Sequence, residues 1–69
     1  MMVVRVNGAE RELADGQTVA SLVASLGVAP DGRGVAVALG GEVVPRSAWE
    51  ATALFPGAAV EVLVAVQGG

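Results

Sequence analysis

At the start of the chain apolar residues recur with period two. Met2, Val4 and Val6 fall on one face, and Val3 and Arg5 on the other. That is the pattern of a half-buried strand. Asn7-Gly8 follows, and it predicts a two-residue hairpin, because both central positions of the favoured turn need positive φ. A return strand over about Glu10 to Leu13 is expected to pair antiparallel, closed by a turn at Asp15-Gly16. The period then changes. In TVASLVASLG, Val19, Leu22, Val23 and Leu26 stand at i, i+3, i+4 and i+7, one apolar helical stripe, with Ser21 and Ser25 away from its centre. Thr18 is the expected N-cap and Gly27 the residue past the last turn.

After the loop APDGRG, the β-branched run VAVAL predicts a buried strand, Gly40-Gly41 a turn, and EVV a return strand ended by Pro45. SAWE matches a capping box, Ser47 with Glu50, and predicts a short helical turn carrying Trp49 inward. FPGA reads as a further turn. The last strand is expected over about Ala59 to Val66, with Val60, Val62, Val64 and Val66 alternating against Glu61, Leu63 and Ala65. The order β-β-α-β-β-short helix-β, one helix on one sheet, is an α+β layer arrangement.

Composition narrows the function. The 69 residues fit one small domain whose core is barely sufficient. With no Cys and no His there is neither a disulfide nor a usual zinc ligand set, so packing must supply the stability. Packing material is ample: 54% of the chain is hydrophobic, although Trp49 and Phe55 are its sole aromatics. Four Arg, no Lys and seven acidic residues leave a net charge of −3, which argues against a nucleic-acid partner. No basic amphipathic stripe points to a membrane surface, and no run approaches the roughly 18 apolar residues of a spanning helix. MMVVRVNG lacks the pattern of a secretory leader, and the expected compartment is the cytoplasm.

Candidate chemistry can be weighed residue by residue. Glu10 and Glu12 share a strand face, but paired catalytic carboxylates need a pocket that shifts one of them, and a solvated face explains this pair better. Ser21, Ser25 and Ser47 have no His or Lys to activate them. GRGVAVALGG contains neither G-x-G-x-x-G nor the Lys-Ser/Thr ending of a phosphate loop, and its glycines fit turns between strands. Arg46 reads as a surface residue, and Trp49 as a packed lid on the sheet edge. What is left is the end, Val66-Gln67-Gly68-Gly69.

A terminal carboxylate has a pKa of about 3.3–3.7, so at neutral pH it is ionised and a poor electrophile. To react it must be activated, for example as a mixed anhydride with AMP. Glycine has no Cβ, so a Gly-Gly arm can thread a narrow tunnel and leave its acyl carbon open to attack. The apolar strand before it is the expected rigid base. The domain is accordingly divided into a folded part, residues 1–66, and a flexible tail, residues 67–69.

Three stretches, VNGAERELADGQTVASLVASLG, GVAVALGGEVVPRSAWEATAL and PGAAVEVLVAVQGG, cover nearly the whole chain. In them the sequence resembles the ThiS family, the sulfur carriers of thiamine biosynthesis, with a ubiquitin-like β-grasp fold and a mixed sheet of about five strands. VAVAL with EVVPR and Trp49, and the terminal VQGG, are the more specific parts. Gly40 stands where the family commonly has Asn, and Ala58 where Asp commonly follows the glycine; both read as turn positions. The resemblance implies a carrier and not a catalyst. An E1-like adenylyltransferase would use ATP and Mg²⁺ to adenylate Gly69, the carrier itself holding no cofactor or metal. A cysteine desulfurase or other sulfur donor would supply the sulfur of a thiocarboxylate, which passes to thiazole synthase. Gly69 would bear the sulfur, and Gly68, Gln67 and Val66 would give reach. From the residues themselves, the last strand is apolar on both sides, with Leu63 opposite the valine row, and Leu63 is the expected partner-facing surface. Two other readings of the same tail are the small subunit of molybdopterin synthase and a ubiquitin-like protein modifier. Without Lys, self-conjugation through side-chain amines is impossible in either case.

Overall fold

The computed structural model describes residues 1–28 and 34–65. Strands β1 (Met2–Val6) and β2 (Ala9–Leu13) are followed by helix α1 (Val19–Leu26), strands β3 (Val35–Leu39) and β4 (Glu42–Val44), a 3₁₀ turn (Arg46–Ala48) and strand β5 (Ala59–Val64). The strands form one sheet in the order β2-β1-β5-β3-β4. β1 and β5 run parallel, and every other pairing is antiparallel.

Both hairpins are built as expected. Val6 pairs with Ala9 and Leu39 with Glu42, so each loop has two residues. Asn7 and Gly8 take φ of 52° and 83°, Gly40 and Gly41 59° and 84°. These left-handed values suit a right-twisted hairpin, and glycine or asparagine adopts them at least cost. β2 begins one residue earlier than the periodicity predicts. Along it Glu10-Arg11-Glu12 are all exposed, which leaves a charged outer edge that discourages edge-to-edge pairing.

The helix is fixed at its start by four separate acceptors. Val19 N–H donates to the Thr52 carbonyl (3.0 Å), Ala20 N–H to Trp49 (3.2 Å) and Leu22 N–H to Thr18 (3.0 Å), while Ser21 N–H donates to Thr18 Oγ1 (3.2 Å). Leu22 makes the first bond of the helix itself, and the three donors before it, which the helix backbone cannot satisfy, are thus partnered. Thr18 N–H in turn donates to Ser21 Oγ (2.8 Å), completing a capping box with serine where glutamate is usual. Gly27, at φ 66°, ends the helix.

The expected capping box at Ser47 and Glu50 is not formed. The turn begins after Pro45, no side chain caps it, and Ser47 lies inside it. Pro45, with φ fixed near −60°, sets the start of the turn two residues earlier. Its carbonyl accepts from Ala48 N–H (2.8 Å), and the Arg46 carbonyl from Trp49 N–H (3.1 Å). A three-residue 3₁₀ turn started by proline offers serine no N-cap position. It does deliver Trp49 into the core, as expected, with its indole N–H donating to the Val44 carbonyl on β4 (2.9 Å).

The core lies between the sheet and α1. Met2, Val4 and Val6 from β1, Val37 from β3, and Val60 and Val62 from β5 meet Val19, Leu22 and Val23 of the helix. Trp49, Leu54 and Ala58 close its rim. Ala58, read from the sequence as a turn position, is a core residue. The turn ends with Ala58 N–H donating to the Phe55 carbonyl (3.0 Å), which points the Ala58 methyl inward.

Candidate functional site: the base of the C-terminal arm

β5 is the central strand, paired with β1 on one side and β3 on the other. Pairing on both sides holds the backbone of a strand on both edges, so the described residues next to the C-terminus belong to the most restrained strand of the sheet. The expected last strand ran to Val66; the described strand ends at Val64, and Ala65 still donates to the Gly34 carbonyl (2.6 Å). Val66, Gln67, Gly68 and Gly69 lie outside the described residues, as does the expected boundary between residues 66 and 67. The sequence from residue 62 onward holds no ionisable side chain, so Glu61 carries the last side-chain charge.

The two edges of β5 are satisfied differently. Towards β3, the register Leu39–Val60 to Val35–Val64 continues along the whole strand. Towards β1, main-chain pairing is short. Arg5 N–H donates to the Ala58 carbonyl (2.8 Å) and Asn7 N–H to the Val60 carbonyl (2.9 Å), after which β1 turns away into its hairpin. The Asn7 side chain then takes over. Its Oδ1 accepts from Val62 N–H (2.8 Å) and its Nδ2 donates to the Val62 carbonyl (3.1 Å). An amide side chain has the same donor and acceptor as a peptide group, so it substitutes for the missing strand. From the sequence Asn7 reads as a turn residue and nothing more; glycine or aspartate would satisfy that turn equally, so no pattern in the chain reveals the second role.

The sheet face turned away from the helix divides by chemistry. On the β2–β1 side, Glu10 stands opposite Arg5 and Glu12 opposite Val3. On the other side, Leu63 of β5 stands opposite Ala36 of β3, and Ala38 lies between Val43 of β4 and Glu61 of β5, the one charged side chain that β5 adds to this face. Leu63 is 66% exposed and Val43 77%. The small alanines opposite them leave both Leu63 and Val43 standing proud of the sheet. Leu63, the candidate partner-surface residue, thus lies on an apolar area two residues from where the described chain ends. Val64 points to the helix side, but its row runs out of cover: Val60 is 1% exposed, Val62 6% and Val64 47%.

Other candidate residues are not gathered with this site. Glu10 and Glu12 lie on the far edge strand, and Arg46 is exposed on the 3₁₀ turn. Asp15 meets the N-terminal ammonium at 3.3 Å, with both groups mostly in solvent, a pair worth little. Among the described residues no three of His, Cys, Asp and Glu converge to hold a metal ion. No helix there is long and apolar enough to cross a membrane.

With that geometry in hand, the comparison with known families is decisive: the model of the ThiS family matches residues 4–69. The chain belongs to the ThiS family. Two solved structures share its fold, a crystal structure and an NMR solution structure of a thiamine biosynthesis protein from Geobacter metallireducens, the crystal structure being that of ThiS. Each is 38% identical with a TM-score of 0.81 and covers 99% of this chain; the match spans 100% of the crystallised chain and 88% of the one in solution. No curated protein matched. The fold of this ThiS-family chain is therefore the ubiquitin-like β-grasp, and the family match runs through Gly68 and Gly69.

Proposed function

We propose that the protein is a cytoplasmic sulfur carrier in the biosynthesis of the thiazole of thiamine. The observation that carries this reading is the family match over residues 4–69, supported by solved relatives described as thiamine biosynthesis proteins. The chain acts as co-substrate. Residues 1–66 form the handle and residues 67–69 the arm. In the first step the Gly69 carboxylate attacks the α-phosphate of ATP in an E1-like adenylyltransferase, which holds the ATP and Mg²⁺; pyrophosphate leaves and an acyl-adenylate remains. In the second, sulfide attacks the acyl carbon and displaces AMP, giving a thiocarboxylate directly; the persulfide of a cysteine desulfurase displaces AMP to give an acyl disulfide, which a thiol reductant then cleaves to the same thiocarboxylate. Thiazole synthase then takes the sulfur. Gly68, Gln67 and Val66 give Gly69 its reach.

The test is the intact mass after incubation with ATP, Mg²⁺, a matching adenylating enzyme and a sulfide source. A gain of about 16 Da, one oxygen exchanged for sulfur, located on the terminal peptide is the expected result. No gain, with an enzyme shown to be active on its own carrier, overturns the reading.

The apolar half of the outer face is the contact surface that this function calls for. Placing a charge there forces an ion into a desolvated interface, which costs several-fold more than losing the leucine contact. Leu63→Arg is expected to raise KM for the carrier at least tenfold in the loading reaction. Because Leu63 is exposed, the melting midpoint should stay near that of the parent. An unchanged KM removes this surface from the interface.

A further inference from the structure

We propose that Asn7 is a positioning residue for the C-terminal arm, its side-chain amide forming the last rung that ties β5 to β1 and so fixing where the chain leaves the sheet. The functional half of this inference rests on the carrier reading; the structural half does not.

Hydrogen bonding along β5 alternates in direction. Ala58 and Val60 bond towards β1, whereas Ala59 accepts from Gly40 (2.9 Å) and Ala65 donates to Gly34 (2.6 Å) on the β3 side. By the same alternation Val62 and Val64 face β1. The main chain of β1 reaches as far as Val60 and stops, because Asn7 is already in the left-handed conformation of the hairpin. A parallel neighbour would next supply one acceptor for Val62 N–H and one donor for its carbonyl. The Asn7 amide supplies both, at 2.8 and 3.1 Å. Its turn conformation is what allows this, since the side chain reaches on along β5 to Val62 while the backbone departs. Without that rung the β1 side of β5 would be untied for the last four residues of the strand beyond Val60, and β3 alone would hold the base of the arm.

The residues accepted by a type I′ turn make the inference testable without disturbing the hairpin. Asn7→Gly keeps the turn and removes the amide. Asn7→Asp keeps the turn and the acceptor, and its second oxygen depends on pH. Protonated, the acid presents one C=O and one O–H and reproduces the amide pattern; ionised, it turns an oxygen lone pair against the Val62 carbonyl. That repulsion raises the folded-state pKa above the unfolded value of about 3.9. The sign follows: the variant matches the parent below the unfolded pKa and loses the rung as pH rises through the folded one.

Two measurements decide the matter on the intact chain. The first is amide exchange at Val62. Asn7→Gly is expected to reduce its protection factor at least tenfold, and Asn7→Asp to do so at pH 7 but not at pH 4. The second is the loading reaction with the adenylating enzyme. Asn7→Gly is expected to raise KM for the carrier three- to tenfold, with kcat within twofold, because a loosely aimed arm enters the tunnel less often but reacts normally once inside. Thr18→Ala is the control: it removes the N-cap of α1, a destabilising change, and the Thr18 hydroxyl bonds to Ser21 in the first turn of the helix and not to β5; it should leave KM at the parent value. Unchanged Val62 protection in Asn7→Gly overturns the clamp. An equal rise of KM in Thr18→Ala overturns the positioning role, since lost stability then explains it. If the parent chain takes up no sulfur, the carrier reading and the functional half fall together, and the exchange result still decides the clamp.

Discussion

Replacing Gly68 by Val is expected to slow sulfur loading about a hundredfold and to leave the melting midpoint of the domain unchanged. On the carrier reading the arm does no packing work, so its glycines serve access alone. A tunnel tight enough to keep water from an acyl-adenylate has no space for a branched Cβ next to the reacting carbonyl. Misplacing a reacting group by about 1 Å costs on the order of a hundredfold in rate. Removing Gly69 tests the same idea by length. Each extended residue spans about 3.3–3.6 Å, so the shortened chain still ends in a glycine carboxylate but stops a full residue short of the nucleotide. Loading of that chain should fall below detection, although its terminus is chemically the same. Intact mass after a fixed incubation measures both, and far-UV circular dichroism on heating checks the domain. A Gly68→Val chain that loads at the parent rate rules out the narrow-tunnel role of the glycines.

How far the chain could be read depended on how local the determinant was. The two hairpins were legible because Asn7-Gly8 and Gly40-Gly41 carry their conformation in two residues, and both were found where expected. α1 was legible from Val19, Leu22, Val23 and Leu26 and from its caps. Ser47 was misread because the rule for a capping box describes α-helices, and Pro45 had already fixed a 3₁₀ start. Ala58 was misread because a glycine turn hides which way the next side chain points. The order of the strands places β5 at the centre, and that placement depends on its parallel pairing with β1, a contact more than 50 residues apart in sequence. No local pattern encodes it. The same long-range contact explains the amide of Asn7, whose second role exists only once β5 lies alongside. For the site, the sequence marks the arm and Leu63; the apolar surface around Leu63 needs Ala36, Ala38 and Val43 brought next to it by β3 and β4.

Trp49→Ala is expected to unfold the domain or bring it close to unfolding at room temperature. Truncating a buried tryptophan costs about 3–5 kcal/mol. At about 0.05–0.15 kcal/mol per residue, a chain of 69 residues has roughly 3–10 kcal/mol in total. The position makes the upper part of the cost range the relevant one. Trp49 is 6% exposed, its indole ties the 3₁₀ segment to β4 through the Val44 carbonyl, and its own carbonyl accepts from Ala20 at the start of α1 (3.2 Å). A cavity there loosens the sheet edge and the first turn of the helix together. Trp49→Phe separates the two contributions. Phenylalanine keeps most of the apolar volume and loses the indole N–H, a hydrogen bond worth about 0.5–1.5 kcal/mol. In a domain of this size that should lower the melting midpoint by about 4–8 °C for each kcal/mol lost. Urea unfolding followed by circular dichroism suits both variants, since the substitution removes the chain's sole tryptophan and with it the fluorescence signal. If Trp49→Ala unfolds with the parent midpoint, the residue is a surface lid and the core is sealed without it. If Trp49→Phe costs as much as Trp49→Ala, the hydrogen bond to Val44 and not the buried ring is what closes the edge of the sheet.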